Sequence, residues 1–69
     1  MSRNTKHVLT GTLRASGPGL YALEADGGGV WQLDIGWACM ARRLVGRRVE
    51  VTGWRAGFDL LDVTSMGEI

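Results

Sequence analysis

Alternation at period two, cut into short pieces by glycine, is the feature that most restricts this chain. The segment VWQLDI, residues 30–35, sets Trp31, Leu33 and Ile35 against Val30, Gln32 and Asp34. Successive side chains of a strand point to opposite faces, so this segment reads as a strand with one apolar side. Four further runs read as strands. HVLTGTLRAS (7–16) alternates Leu9, Gly11 and Leu13 with Val8, Thr10, Thr12 and Arg14. LYALEAD (20–26) groups Tyr21, Leu23 and Ala25, and RRVEVTGW (47–54) opposes Val49, Val51 and Gly53 to Arg48, Glu50 and Thr52. FDLLDVTSM (58–66) is the fifth, and its Leu60–Leu61 pair leaves its faces unassigned. Most of the 11 glycines lie between these runs, while proline occurs once. GPG (17–19) and RAG (55–57) are expected turns, and GGG (27–29) suits a hairpin because glycine accepts positive φ. Gly11 lies inside a run, where glycine marks a bulge or a sharp bend.

One interval changes period. In GWACMARRLVG (36–46), Trp37, Met40, Ala41, Leu44 and Val45 fall at i, i+3, i+4, i+7 and i+8. That spacing predicts a short helix with one apolar stripe, stopped by Gly46. Arg42 and Arg43 would sit in its last turn, where positive charge suits the helix dipole. The order β-β-β-α-β-β predicts an all-β fold, a small five-stranded OB-type β-barrel with one short helix between strands 3 and 4. Closing the sheet also removes its exposed edges. An SH3-like barrel is the alternative, although it has no helix of this length at this point. Residues 1–6 are expected to form a flexible N-terminal tail and residues 7–69 a single domain. A chain of 69 residues buries only about 60% of its unfolded surface, so its core is thin.

The spacing of Ala41, Leu44, Val45, Gly46, Val49, Val51 and Gly53 resembles the passage from helix to strand four in many bacterial OB-type modules. With DGGGVWQLD and GFDLLDV, the chain resembles an uncharacterised bacterial family of short single-domain OB-fold proteins, a domain of unknown function. The resemblance covers roughly residues 8–65. It implies the fold and carries no activity, ligand or site residue.

Eight basic and seven acidic residues leave a net charge of +1. A nucleic-acid domain recognised from charge alone should have a pI above about 9. Cys39 is the single cysteine, and a free thiol fits a reducing compartment. With no apolar leader segment and no apolar run near the roughly 20 residues that span a bilayer, a cytoplasmic location is expected, with no membrane association. His7 is the one histidine and is distant in sequence from Cys39, so no metal site is expected. Cys39 has no histidine base in view, and GGG leads into a strand rather than a phosphate-binding helix. Asp59 and Asp62 read as solvated charges. The reading is a non-enzymatic module with no cofactor.

The charged feature that stands out is Arg42, Arg43, Arg47, Arg48 and Arg55, offset by Glu50. Arginine forks match phosphate, and Tyr21, Trp31, Trp37 and Trp54 are candidate stacking partners. OB-type barrels bind oligonucleotides across strands two and three, flanked by the loops joining strands one to two and four to five. Here the outward set on those strands is Ala22, Glu24, Gln32 and Asp34, an acidic face. Arg14 borders the first loop and Trp54 with Arg55 the second. Two functions follow. One is a protein-contacting or self-associating module, acting through a β-edge or the Trp54 and Phe58 region. The other is weak binding of single-stranded nucleic acid through Arg14, Trp54, Arg55, Arg47 and Arg48. The near-neutral balance and the acidic outer face favour the first.

Overall fold

The computed structural model of the protein describes residues 6–35 and 41–69. Its elements are β1 (Lys6–Gly17), β2 (Leu20–Ala25), β3 (Val30–Asp34), a 3-10 turn (Arg42–Leu44), β4 (Arg48–Arg55) and β5 (Leu60–Glu68). The five strands form one sheet in the order β1-β2-β3-β5-β4, and β4 returns to pair with β1, so the sheet closes into a ring. Every neighbouring pair is antiparallel except β3–β5, which run parallel through Gln32↔Leu60, Leu33↔Leu61 and Asp34↔Asp62. The expected all-β class is therefore observed, with almost no helix among the described residues.

Closure depends on β1 serving two partners. Lys6–Thr12 pair with β4, and Gly11–Gly17 pair with β2. The two pairings overlap at Gly11 and Thr12, and Gly11 lies opposite Ala25 on one side and Val49 on the other. A Cβ at Gly11 would stand 2.1 Å from the Glu24 carbonyl oxygen. Gly11 is thus where two backbones approach too closely for any side chain. The bulges lie elsewhere, between Ala15 and Gly17 and between Thr52 and Gly53. Gly53 repeats the device, since a Cβ there would stand 2.4 Å from the Asp62 carbonyl oxygen.

The interior follows the alternation. Leu13, Leu23, Val49, Val51 and Leu61 are fully buried, and each such side chain contributes about 1.5–3 kcal/mol. Tyr21, Leu33 and Ile35 complete the inward sets of β2 and β3. On β5 the inward residues are Leu61 and Val63, so the faces left open by the Leu60–Leu61 pair are settled by burial.

Several expectations need correction. Ala22, placed outward by alternation, is only 5% exposed; its cross-strand neighbours are the longer Arg14 and Gln32, and a methyl group is easily shaded. Trp31 shares the inward side yet is half-buried, packed against the rim of the core. Asp59 lies in the loop before β5, not in the strand. Lys6 belongs to β1, not to the tail. Of the predicted helix, residues 36–40, including Trp37, Cys39 and Met40, lie outside the described residues. The described part is Ala41, helical and buried, followed by a 3-10 turn whose Leu44 packs on the core. Val45 leaves the expected stripe: its backbone is already extended, at φ −60° and ψ 130°, and its side chain is exposed. Gly46 follows at φ +85°, the stop expected of it. Its N–H donates to the Leu13 carbonyl at 2.7 Å, and the Leu13 N–H donates to Arg47 at 3.0 Å. These bonds fix where β4 begins.

Candidate interaction site

β4 carries four of the five residues singled out for binding on itself or one residue before it, and its two ends present them differently. At the first end, Arg47 Nη1 lies 2.9 Å from Glu68 Oε2 at the far end of β5. Arg48 pairs with Asp26, whose Oδ2 also accepts the Thr10 hydroxyl at 3.0 Å. Arg14, in the second half of β1, reaches Glu24 of β2 at 3.2 Å. It is a strand residue with a diagonal cross-strand partner, since Thr12 stands opposite Glu24; it does not border the first loop as expected. Pairs this exposed contribute about 0–1 kcal/mol each. Their larger consequence is electrostatic, because each neutralises the charge that a phosphate would need. Arg42 and Arg43 are exposed on the 3-10 turn and have no ion-pair partner among the described residues.

The second end of β4 is built from aromatic rings and cations. Arg55 donates from Nε to the Gly57 carbonyl at 3.0 Å and from Nη2 to the Phe58 carbonyl at 2.8 Å. Its guanidinium lies 5.8 Å from the Trp31 ring centroid and 6.0 Å from that of Phe58. The Ala56 N–H adds a bond of 2.8 Å to the Leu60 carbonyl. The connection between β4 and β5 is therefore pinned from inside by one arginine. Phe58 is held on it with 89% of its surface exposed. His7 sits with its ring centroid 5.8 Å from that of Trp31. His7, Trp31 and Arg55 all continue the inward sides of their strands, β1, β3 and β4, and so close one end of the ring.

Trp54 faces the other way. It lies outward on β4, 39% exposed, with Lys6 Nζ 5.9 Å from its ring centroid. Strand pairing explains the contact, because Lys6 stands directly opposite Trp54.

Among the five expected residues, then, Trp54 and Arg55 share the second end of β4 but on opposite faces, Trp54 with Lys6 outside and Arg55 with Trp31 and Phe58, His7 lying against Trp31. Arg14, Arg47 and Arg48 do not join them: Arg48 is six residues away along β4, about 20 Å. The carboxylates that hold these three arginines, Glu24, Glu68 and Asp26, were missed by sequence reasoning. Lys6 and His7 were missed as neighbours of the tryptophans. No local spacing signals either set, since both depend on which strands pair. Among the described residues no group of three or more His, Cys, Asp or Glu is placed to hold a metal ion. No helix among them is long and apolar enough to cross a membrane.

Comparison with family models finds a match, over residues 10–69, to proteins of unknown function grouped as DUF5818. The chain belongs to the DUF5818 family. No curated protein and no solved structure matches it. The family match spans β2 to β5 whole and all of β1 from Thr10 onward, so both ends of β4 belong to the shared domain.

Proposed function

We propose that this chain is a non-enzymatic OB-type β-barrel that contacts another protein through the Trp54–Phe58 end of β4. The barrel reading is supported by the strand order, by the return of β4 to β1 and by the parallel β3–β5 seam. The contact reading rests on one contrast. Arg14, Arg47 and Arg48 are each held by a carboxylate, while Trp54 and Phe58 face solvent from a pinned strand end. Aromatic residues on rigid supports dominate protein interfaces, because little entropy is lost when they are covered. Asp34, exposed on β3 with no ion-pair partner among the described residues, adds a charge that repels phosphate.

A second reading keeps weak binding of single-stranded nucleic acid at the same end, since Arg55 and Lys6 lie beside aromatic rings without a carboxylate partner among the described residues. Two measurements separate them. Titration of the labelled protein with mixed-sequence single-stranded DNA at low salt is expected to leave the Trp54 and Arg55 signals unmoved. Shifts there that fade steeply with salt would replace the protein reading with the nucleic-acid one. Selection of a random peptide library is expected to enrich binders on the native chain and not on a folded Trp54→Ala, Phe58→Ala double variant.

A further inference from the structure

The outer face of the sheet around Trp54 carries a row that has its own symmetry. Lys6 of β1 stands opposite Trp54 of β4, and Trp54 stands opposite Asp62 of β5. Residues directly opposite in antiparallel pairs point to the same side. All three are exposed, so the row reads cation, indole, carboxylate across three strands. Neighbouring strands lie about 4.8 Å apart, which puts the backbones of Lys6 and Asp62 at equal distances on either side of Trp54, with the Lys6 ammonium leaning to 5.9 Å from the indole centroid. Val8, 60% exposed, follows Lys6 on the same side of β1 and stands opposite Thr52. The patch is therefore an apolar centre with opposite charges on its flanks.

A two-fold axis lying in the plane of such a face and parallel to β4 reverses left and right across the strands. It brings indole onto indole, and each flank onto the flank of opposite sign. We propose that this face is a self-complementary surface that pairs with a second copy of the chain. Trp54 packs against Trp54 of its partner, and Lys6 of each copy meets the partner's Asp62. Symmetric dimers use one patch twice in this way, and two sheets packed face to face accept such a centre. The inference rests on the protein-contacting reading above and names the partner for the outer side of that end; Phe58, on the loop, is left for other contacts. A standard interface covers about 800 Å² on each partner, roughly 18% of a molecule whose surface is 4482 Å². Five side chains on one sheet face do not reach that area, so the pairing is weak and depends on concentration.

Sedimentation equilibrium and light scattering of the whole chain, from micromolar to millimolar at low salt, test it. The mean mass is expected to climb from 7.5 kDa toward twice that value, and to climb less as salt rises. Lys6→Glu turns two attractions into two repulsions and should weaken the association about tenfold or more. Asp62→Lys should do the same. The double variant Lys6→Glu, Asp62→Lys reverses both signs and should restore the native constant, an outcome that a misfolded protein would not give. A strictly monomeric native chain, association indifferent to Lys6→Glu, or a folded double variant that stays monomeric would each overturn the proposal. None of these results removes the protein-contacting reading, which falls to the oligonucleotide titration or to failure of the peptide selection.

Discussion

The two ends of β4 use arginine in opposite ways. At the start, Arg47 and Arg48 reach outward and are met by Glu68 and Asp26, so the positive charge is spent within the molecule. At the finish, Arg55 meets no carboxylate among the described residues. It turns back to two carbonyls of its own loop and lies beside two rings. The first arrangement ties distant strands together; the second shapes a loop and displays Phe58. A basic cluster in a short stretch is therefore not one surface, because a strand of eight residues separates its ends by more than 20 Å.

Each end rests on a glycine crossing, and the largest effects should come from there. Gly11, opposite Val49 near the first end, should tolerate no side chain. Gly11→Ala places a methyl 2.1 Å from backbone and is expected to cost about 3 kcal/mol or more. That is comparable to the whole stability of a domain this small, so circular dichroism should show a largely unfolded protein at room temperature. Gly53→Ala, with 2.4 Å to the Asp62 oxygen, should be nearly as severe, and a native melting curve for either variant would contradict the crossing geometry. Next in size is Arg55→Ala, expected to cost about 1 kcal/mol through its two lost bonds. It should also raise amide exchange at 56–59 while leaving 47–49 unchanged. Arg48→Ala should cost under about 1 kcal/mol, and that cost should vanish in high salt. If Arg48→Ala proves worse than Arg55→Ala, the contrast between the ends is reversed. Smallest is Phe58→Ala, within about 0.5 kcal/mol by urea denaturation, because the ring is almost wholly in solvent.

Much of the fold was legible because the interior obeys a rule of local chemistry. The run at 30–35 declared its inward side through Trp31, Leu33 and Ile35, and the observed strand is Val30–Asp34. Gly46 declared a stop and takes the positive φ that stop requires. The tail end of the stripe did not hold, since the backbone is already extended at Val45 and its side chain is exposed. The candidate site was less legible. Arg47 and Glu68 are 21 residues apart, and Arg48 and Asp26 are 22 apart. The first meeting depends on β5 pairing with β4 and the second on β1 lying between β2 and β4, which no window of adjacent residues encodes. Trp54 and Arg55 were legible as neighbours, but not that one faces outward and the other stops the ring.

The division of β1 between two partners also bears on how the chain comes into being. Its second half can find β2 once Ala25 has left the ribosome, whereas its first half waits for β4, whose last residue is Arg55. At 5–20 residues per second, Leu9 and its neighbours stand unmatched for a second or more of every round of translation. That interval is when nascent copies are most open to pairing with the wrong strand, and it closes only once Arg55, the last residue of β4, has been made.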